Sequence, residues 1–279
     1  MNDAELRRLA REQDIDLVTL QHERREVQFL AGIASDPILA THLAFKGGTA
    51  LRLVYLCDRY SDDLDFDLVR GGETPAEILA RLRTLATKQT LEITDSHLKR
   101  GTVLLEVREQ GWKRQLKIEI SILPRPRGAR TVVKNIITSV YPASVNVLTY
   151  SLPVLLAGKM LAVLERAAPT PRDLYDLFWL LSRNVEEDEA CLRAAKLKVN
   201  IPNRTTLYRD LLSRVAAYTD RQIATELGAL LPQKQRAWAR ASLKERTREL
   251  LELRLAAVKV DRRGEALPQA SSPSYSPMD

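Results

Sequence analysis

The chain has 279 residues, 45% apolar and 28% charged, a balance that predicts a folded globular protein of two lobes and excludes a disordered one. Its two cysteines, Cys57 and Cys191, are far apart and outside any ligand motif, which excludes a disulfide framework or structural zinc site and predicts two buried thiols. The net charge of +7 is regional: residues 196–263 hold 16 Lys/Arg against 7 Asp/Glu, whereas residues 1–195 balance.

The start, MNDAELRRLAREQ, lacks the apolar core of a signal peptide. The richest apolar run, LPVLLAGKMLAVL, is interrupted by Lys159 and too short to cross a bilayer, so no membrane partner and a cytoplasmic location are expected. Residues 1–44 read as helices bracing the core, with Leu17, Leu20, Val27, Leu30 and Ile33 near a 3.6 period. After the Gly47–Gly48 turn, TALRLVYLC predicts a helix. LDFDL then alternates, which predicts a strand with Leu64, Phe66 and Leu68 on one face and Asp63, Asp65 and Asp67 on the other.

TPAEILARLRTLATKQ opens with Thr74 as N-cap and Pro75 at the first helical position. Two strands follow, TVLLEVRE and RQLKIEISI; the second puts Leu116, Ile118, Ile120 and Ile122 on one face and Lys117, Glu119 and Ser121 on the other. LPRPRGAR reads as a turn and SVNVLTY as a strand. From Ser151 to about Val260 the pattern is helical. The expected divisions are therefore 1–44, an α/β (α+β) core with a mixed sheet at 45–150, an all-helical lobe at 151–263, and a Pro/Ser-rich disordered tail at 264–279.

The stretch FKGGTALRLVYLCDRYSDDLDFDL places five aspartates in its last eleven residues. A glycine pair before a helix lets backbone N–H groups approach phosphate oxygens, although GGT alone is a common turn. Asp63 and Asp65 on one strand face can hold hard divalent cations, and their repulsion is relieved when they do. An acidic strand guarding a sheet edge is the alternative. Glu119, on the polar face of a later strand, is a candidate third carboxylate, with Glu106 as its competitor. Carboxylates from neighbouring strands suit two-metal phosphoryl transfer. Asp58, Asp62 and Asp67 are expected to be structural or to support the metal ligands from behind.

Gly48-Thr49, thirteen intervening residues, then Asp63-Leu64-Asp65 resembles the signature of the DNA polymerase β-like nucleotidyltransferases. The wider series FKGGTAL, RYSDDLDF, LKIEIS, a helical Lys-to-Glu-Arg segment and PRDLYDL is similar to the AbiEii/MenT family of nucleotidyltransferase toxins, over residues 40–182. The resemblance implies that Asp63 and Asp65 are catalytic and bind Mg²⁺, up to two ions, with Glu119 as third ligand. It places Lys46, Gly47, Gly48, Thr49, Arg59 and Ser61 near the NTP. Lys159, Arg166, Arg172 and Asp173, from the helical lobe, complete the site.

The activity implied is that of a type IV toxin–antitoxin or abortive-infection enzyme. It moves NMP from an NTP to an RNA acceptor, with the tRNA 3′ end as first expectation and a cognate antitoxin as partner. The basic excess of residues 196–263 agrees with a polyanionic acceptor, although Arg-rich helices with a solvated face give the same count. A protein or small-molecule acceptor, or a non-catalytic nucleic-acid-binding protein, are the alternatives.

Overall fold

The computed structural model describes residues 2–99, 101–112, 114–122, 132–138, 141, 144–188 and 203–261. The chain opens with α1 (Asp3–Glu12), α2 (Leu17–Ser35) and α3 (Pro37–His42), then β1 (Leu43–Lys46), α4 (Gly47–Tyr55) and β2 (Asp63–Leu68). Next come α5 (Pro75–Lys88), β3 (Glu92–Lys99), β4 (Thr102–Arg108), β5 (Leu116–Ser121), β6 (Val132–Thr138) and β7 (Ser144–Tyr150). The helices α6 (Leu152–Glu165), α7 (Pro171–Ser182), α8 (Arg204–Ala216), α9 (Asp220–Leu227) and α10 (Gln233–Asp261) follow.

Local chemistry sets several boundaries. Thr74 and Glu77 form a reciprocal capping box ahead of Pro75, so α5 starts where its first N–H groups find partners. Asp36 accepts from the amides of Ile38 and Leu39 and starts α3 at Pro37.

Among the described residues the strands form one mixed sheet of seven, in the order β3-β4-β5-β2-β1-β7-β6. The pairs β2–β5 and β1–β7 are parallel and the others antiparallel. Alternation along the central strands separates two faces. Phe45, Leu64, Phe66, Ile118 and Ile120 join one core with Leu20, Val27, Phe29 and Leu30 of α2 and with Ile78 and Leu82 of α5. Ala44 and Tyr150 belong to a second core with Leu156 and Met160 of α6, Leu174 and Leu177 of α7, Leu211 of α8 and Leu243 of α10. Burying these side chains at about 1.5–3 kcal/mol each is the main force holding both layers to the sheet.

Three strands differ from expectation. Leu43 and Ala44, read as the end of the N-terminal helices, begin β1, whose four residues are too few to show a period. EITDSHLK forms β3 at the sheet edge, largely exposed and so without an apolar face to mark it. β6 is the other edge, where Ile136 is exposed and Ile137 buried, so apolar residues stand on both faces and no polar/apolar contrast marks the strand.

Cys57 is buried, and burial pushes its thiol up to about 12, which leaves it inert as a nucleophile. Cys191, the LPRPRGAR turn and the tail from Gly264 lie outside the described residues. Among the described residues no helix is long and apolar enough to cross a membrane.

Candidate active site

The register of β2 against its neighbours gathers the carboxylates. Across the parallel β2–β5 pair, Asp63 lies beside Lys117, Asp65 beside Glu119 and Asp67 beside Ser121. Side chains on one face are then about 5 Å apart from strand to strand. Glu106 on β4 lies beside Lys117, one strand further from β2, so the register puts Glu119 and not Glu106 next to Asp65.

Burial raises the acids of both Asp63 and Asp65 above the usual carboxylate range, although Arg172 and Lys117 oppose this at Asp63 and Lys46 and Lys159 at Asp65. The protein's own cations thus leave these two carboxylates undercompensated. Asp67 differs: it is fully buried, paired with Lys46 at 2.6 Å and accepting from the Tyr150 hydroxyl at 2.9 Å.

The glycine pair serves the carboxylates directly. Gly47 has φ +79°, and a Cβ built there would overlap the Asp65 carboxylate and lie 2.9 Å from the Asp65 Cβ. A Cβ on Gly48 would overlap the Arg59 guanidinium and lie 2.9 Å from the Ser61 hydroxyl. Gly47→Ala must therefore strain the backbone and displace Asp65. It is expected to cost about 1–3 kcal/mol in urea unfolding and to reduce nucleotide transfer more than stability alone explains. A variant with wild-type stability and activity would show that the close approach is dispensable.

The cations sort into two groups. Arg59 is 2% exposed and binds Asp176 through three hydrogen bonds of 2.8 to 2.9 Å, while its Nη1 donates to the Tyr60 carbonyl at 2.7 Å. The resemblance places Arg59 near the NTP; in this structure it faces Asp176 and Tyr60. Its donors are engaged inside the protein, joining the loop after α4 to α7. Lys159 lies between Asp173, at 2.9 Å, and Asp176, at 2.7 Å. Arg166 reaches the other oxygen of Asp173 at 2.7 Å.

Burial would raise Asp176, but Arg59 and then Lys159 outweigh it and hold the acid below its ordinary range. Arg172 is about one-third exposed and 3.9 Å from both Asp62 and Asp63, which leaves it at the mouth of the carboxylate row.

Two cations that the sequence motifs do not single out enter here. Lys117 shares the row and pairs with Glu119 at 2.6 Å. Arg114 pairs with Asp62 beside Arg172. Its loop is fastened to α2 by Arg25, which pairs with Glu109 and lies 3.4 Å over the Trp112 ring.

A buried polar layer of α2 supports the start of β2, and the motifs do not announce it either. The His22 Nε2 lies 2.8 Å from the Asp62 carbonyl, and the Thr49 hydroxyl donates to the Asp63 carbonyl at 2.5 Å and lies 3.3 Å from a Glu26 carboxyl oxygen. Thr49 is fully buried, so its side chain holds the strand and is not presented to phosphates. The available signal was the spacing of His22 and Glu26, four residues apart on one helix face.

Burial, then Glu23 and Asp62, hold the Glu26 acid well above its ordinary value, and burial lowers His22, so the fold favours the neutral form of each. Folded Glu26 keeps a proton that the unfolded chain releases above about pH 4.3. Stability therefore falls as pH rises from there to the folded pKa, by about 1.4 kcal/mol per pH unit from this group. Glu26→Gln lacks that slope and should gain on the wild type in urea midpoints as pH rises above about 4.3 toward the folded pKa. A constant difference would mean that Glu26 is ionised in the folded protein.

Asp63 and Asp65 fit a hard divalent cation: two oxygen donors on one face, both lacking full compensation. Glu119 is turned to Lys117, and among the described residues no three His, Cys, Asp or Glu side chains converge as a metal-binding group. A groove of about 610 Å³ between α2, α3 and α5, lined by Asp36, Glu77, Arg81 and Lys88 among others, contains none of these residues.

Residues 28–256 match the family model described as nucleotidyl transferase AbiEii toxin, type IV TA system. None of the curated proteins compared matches the chain. Among solved structures, JHP933 from Helicobacter pylori is 20% identical with a TM-score of 0.48, covering 89% of this chain and 99% of its own. A proposed nucleotidyltransferase from H. pylori is 18% identical with a TM-score of 0.49, covering 86% of this chain and 98% of its own.

Proposed function

Because the chain belongs to the AbiEii family of nucleotidyltransferase toxins of type IV toxin–antitoxin systems, we propose that it transfers NMP from an NTP to an RNA hydroxyl, foremost the 3′ end of tRNA, and so blocks translation. The observation that carries this reading is the undercompensated pair Asp63 and Asp65, in one row with Glu119 and beneath Arg172.

In the proposed reaction the acceptor oxygen bonds to the α-phosphorus, the bond from that phosphorus to the bridging oxygen breaks, and pyrophosphate leaves. Mg²⁺ held by Asp63 and Asp65 would supply charge neutralisation for the triphosphate. Arg172 and Arg114 stand where they can neutralise further phosphate charge. Lys159 is held between Asp173 and Asp176, close enough to favour the ionised form of Asp65. The proton of the acceptor hydroxyl can pass to a carboxylate of the row or to water.

Phosphoryl transfer of this kind needs positioning and electrostatics more than covalent chemistry, and the row provides both. The basic balance of residues 196–263 supports a polyanionic acceptor, and NTP and tRNA as substrates imply action in the cytoplasm.

The test mixes protein, Mg²⁺ and each α-labelled NTP singly with separate pools of tRNA, protein and small metabolites. Label on the tRNA 3′ end is expected. Label confined to protein or to metabolites would overturn the RNA assignment. Growth inhibition that survives Asp63→Ala would overturn catalysis altogether.

A further inference from the structure

A row of three carboxylates that receives two divalent ions should present all three inward, but here one is already matched. Lys117 and Glu119 are two residues apart on β5 and therefore on the same face. Their charged groups meet at 2.6 Å, with both side chains a little over one-third exposed. The register sets Lys117 beside Asp63 and Glu119 beside Asp65, so this internal pair lies in the carboxylate row itself. Across the row, Arg172 stands 3.9 Å from Asp63.

Resting on the nucleotidyltransferase reading, we propose that Lys117 is the protein's own cation at the third-carboxylate position, limiting the resident divalent metal to one ion held by Asp63 and Asp65. One divalent ion and one ammonium already match the three charges of Asp63, Asp65 and Glu119 before Arg172 is counted. A second ion would have to displace Lys117 from Glu119 and approach its charge within the reach of a single side chain.

The surroundings of Lys117 keep it in place. Its ammonium is bound by Glu119 at 2.6 Å, and the register sets it beside Asp63 on β2. Lys117 is thus a positioning residue: it holds Glu119 and determines how many ions the row accepts, without being required to touch the reacting phosphate.

The experiment is a titration of the full chain with Mn²⁺ alone, the free ion being followed by electron paramagnetic resonance. Wild type is expected to bind one ion at the row, lost in Asp65→Asn. Lys117→Met, with its melt checked by circular dichroism, is expected to bind a second ion or to bind the first about tenfold more tightly or better. Lys117→Arg keeps the charge and should behave as wild type.

If Lys117→Met matches wild type in both number and affinity, or if wild type binds two ions, the lysine proposal is overturned while the transfer reading stands. Wild type that binds no Mn²⁺, or binds it independently of Asp65, overturns both.

Discussion

Asp65→Asn is expected to reduce NMP transfer by about 10³-fold or more while leaving the folded protein at least as stable as wild type. The two effects have one origin. Burial and the neighbouring Asp63 hold the Asp65 acid above its ordinary range, so its charge is a cost to the folded chain at neutral pH. Asparagine has nearly the same shape, fits against Gly47 as the carboxylate does, and removes that charge.

What asparagine cannot supply is the negative oxygen that holds a cation against the triphosphate. Transfer measured with labelled NTP, paired with urea or thermal unfolding, separates the possibilities. Loss of activity with an equal or higher midpoint supports a catalytic row. Retained activity removes Asp65 from the chemistry, and a lowered midpoint would assign the loss to folding. Asp63→Asn should follow the same pattern, since its acid is raised by the same cause.

The parts of this site that are legible in sequence are those written in a short period. DLDFDL alternates, and that period alone sets Asp63 and Asp65 on one face; LKIEIS places Glu119 in the same way. The alternation also places Lys117 on the Glu119 face, where its meaning depends on which strand lies alongside. Register between strands is not a local property: it decides that Glu119 and not Glu106 lies next to Asp65.

The short β1 and the exposed β3 carry too little hydrophobic contrast to be read. The buried charges of α2 were masked for the opposite reason. A helix whose His22, Glu23, Arg25 and Glu26 are all buried looks amphipathic in sequence, because charge normally marks the solvent side.

The pairing of Arg59 with Asp176 spans 117 positions and has no local signature, and breaking it is expected to give the largest loss of stability. Both side chains are almost completely removed from water, and the guanidinium meets the carboxylate through both oxygens. Asp176→Ala would leave Arg59 charged and buried, and would take one of two carboxylates from Lys159. The expected cost is about 3–5 kcal/mol in urea unfolding.

Arg59→Lys keeps a charge but not the fork that spans the carboxylate, so a smaller but clear loss is expected. The double replacement Arg59→Met with Asp176→Leu should recover much of the stability of Asp176→Ala, because it leaves no isolated charge at this pair. Lys159 would retain Asp173.

Nucleotide binding by the folded double variant then assigns the role of Arg59. Retained NTP affinity makes the arginine a tie between the loop before β2 and α7. Affinity lost in a stable double variant would return Arg59 to the phosphates, against the geometry of its buried donors.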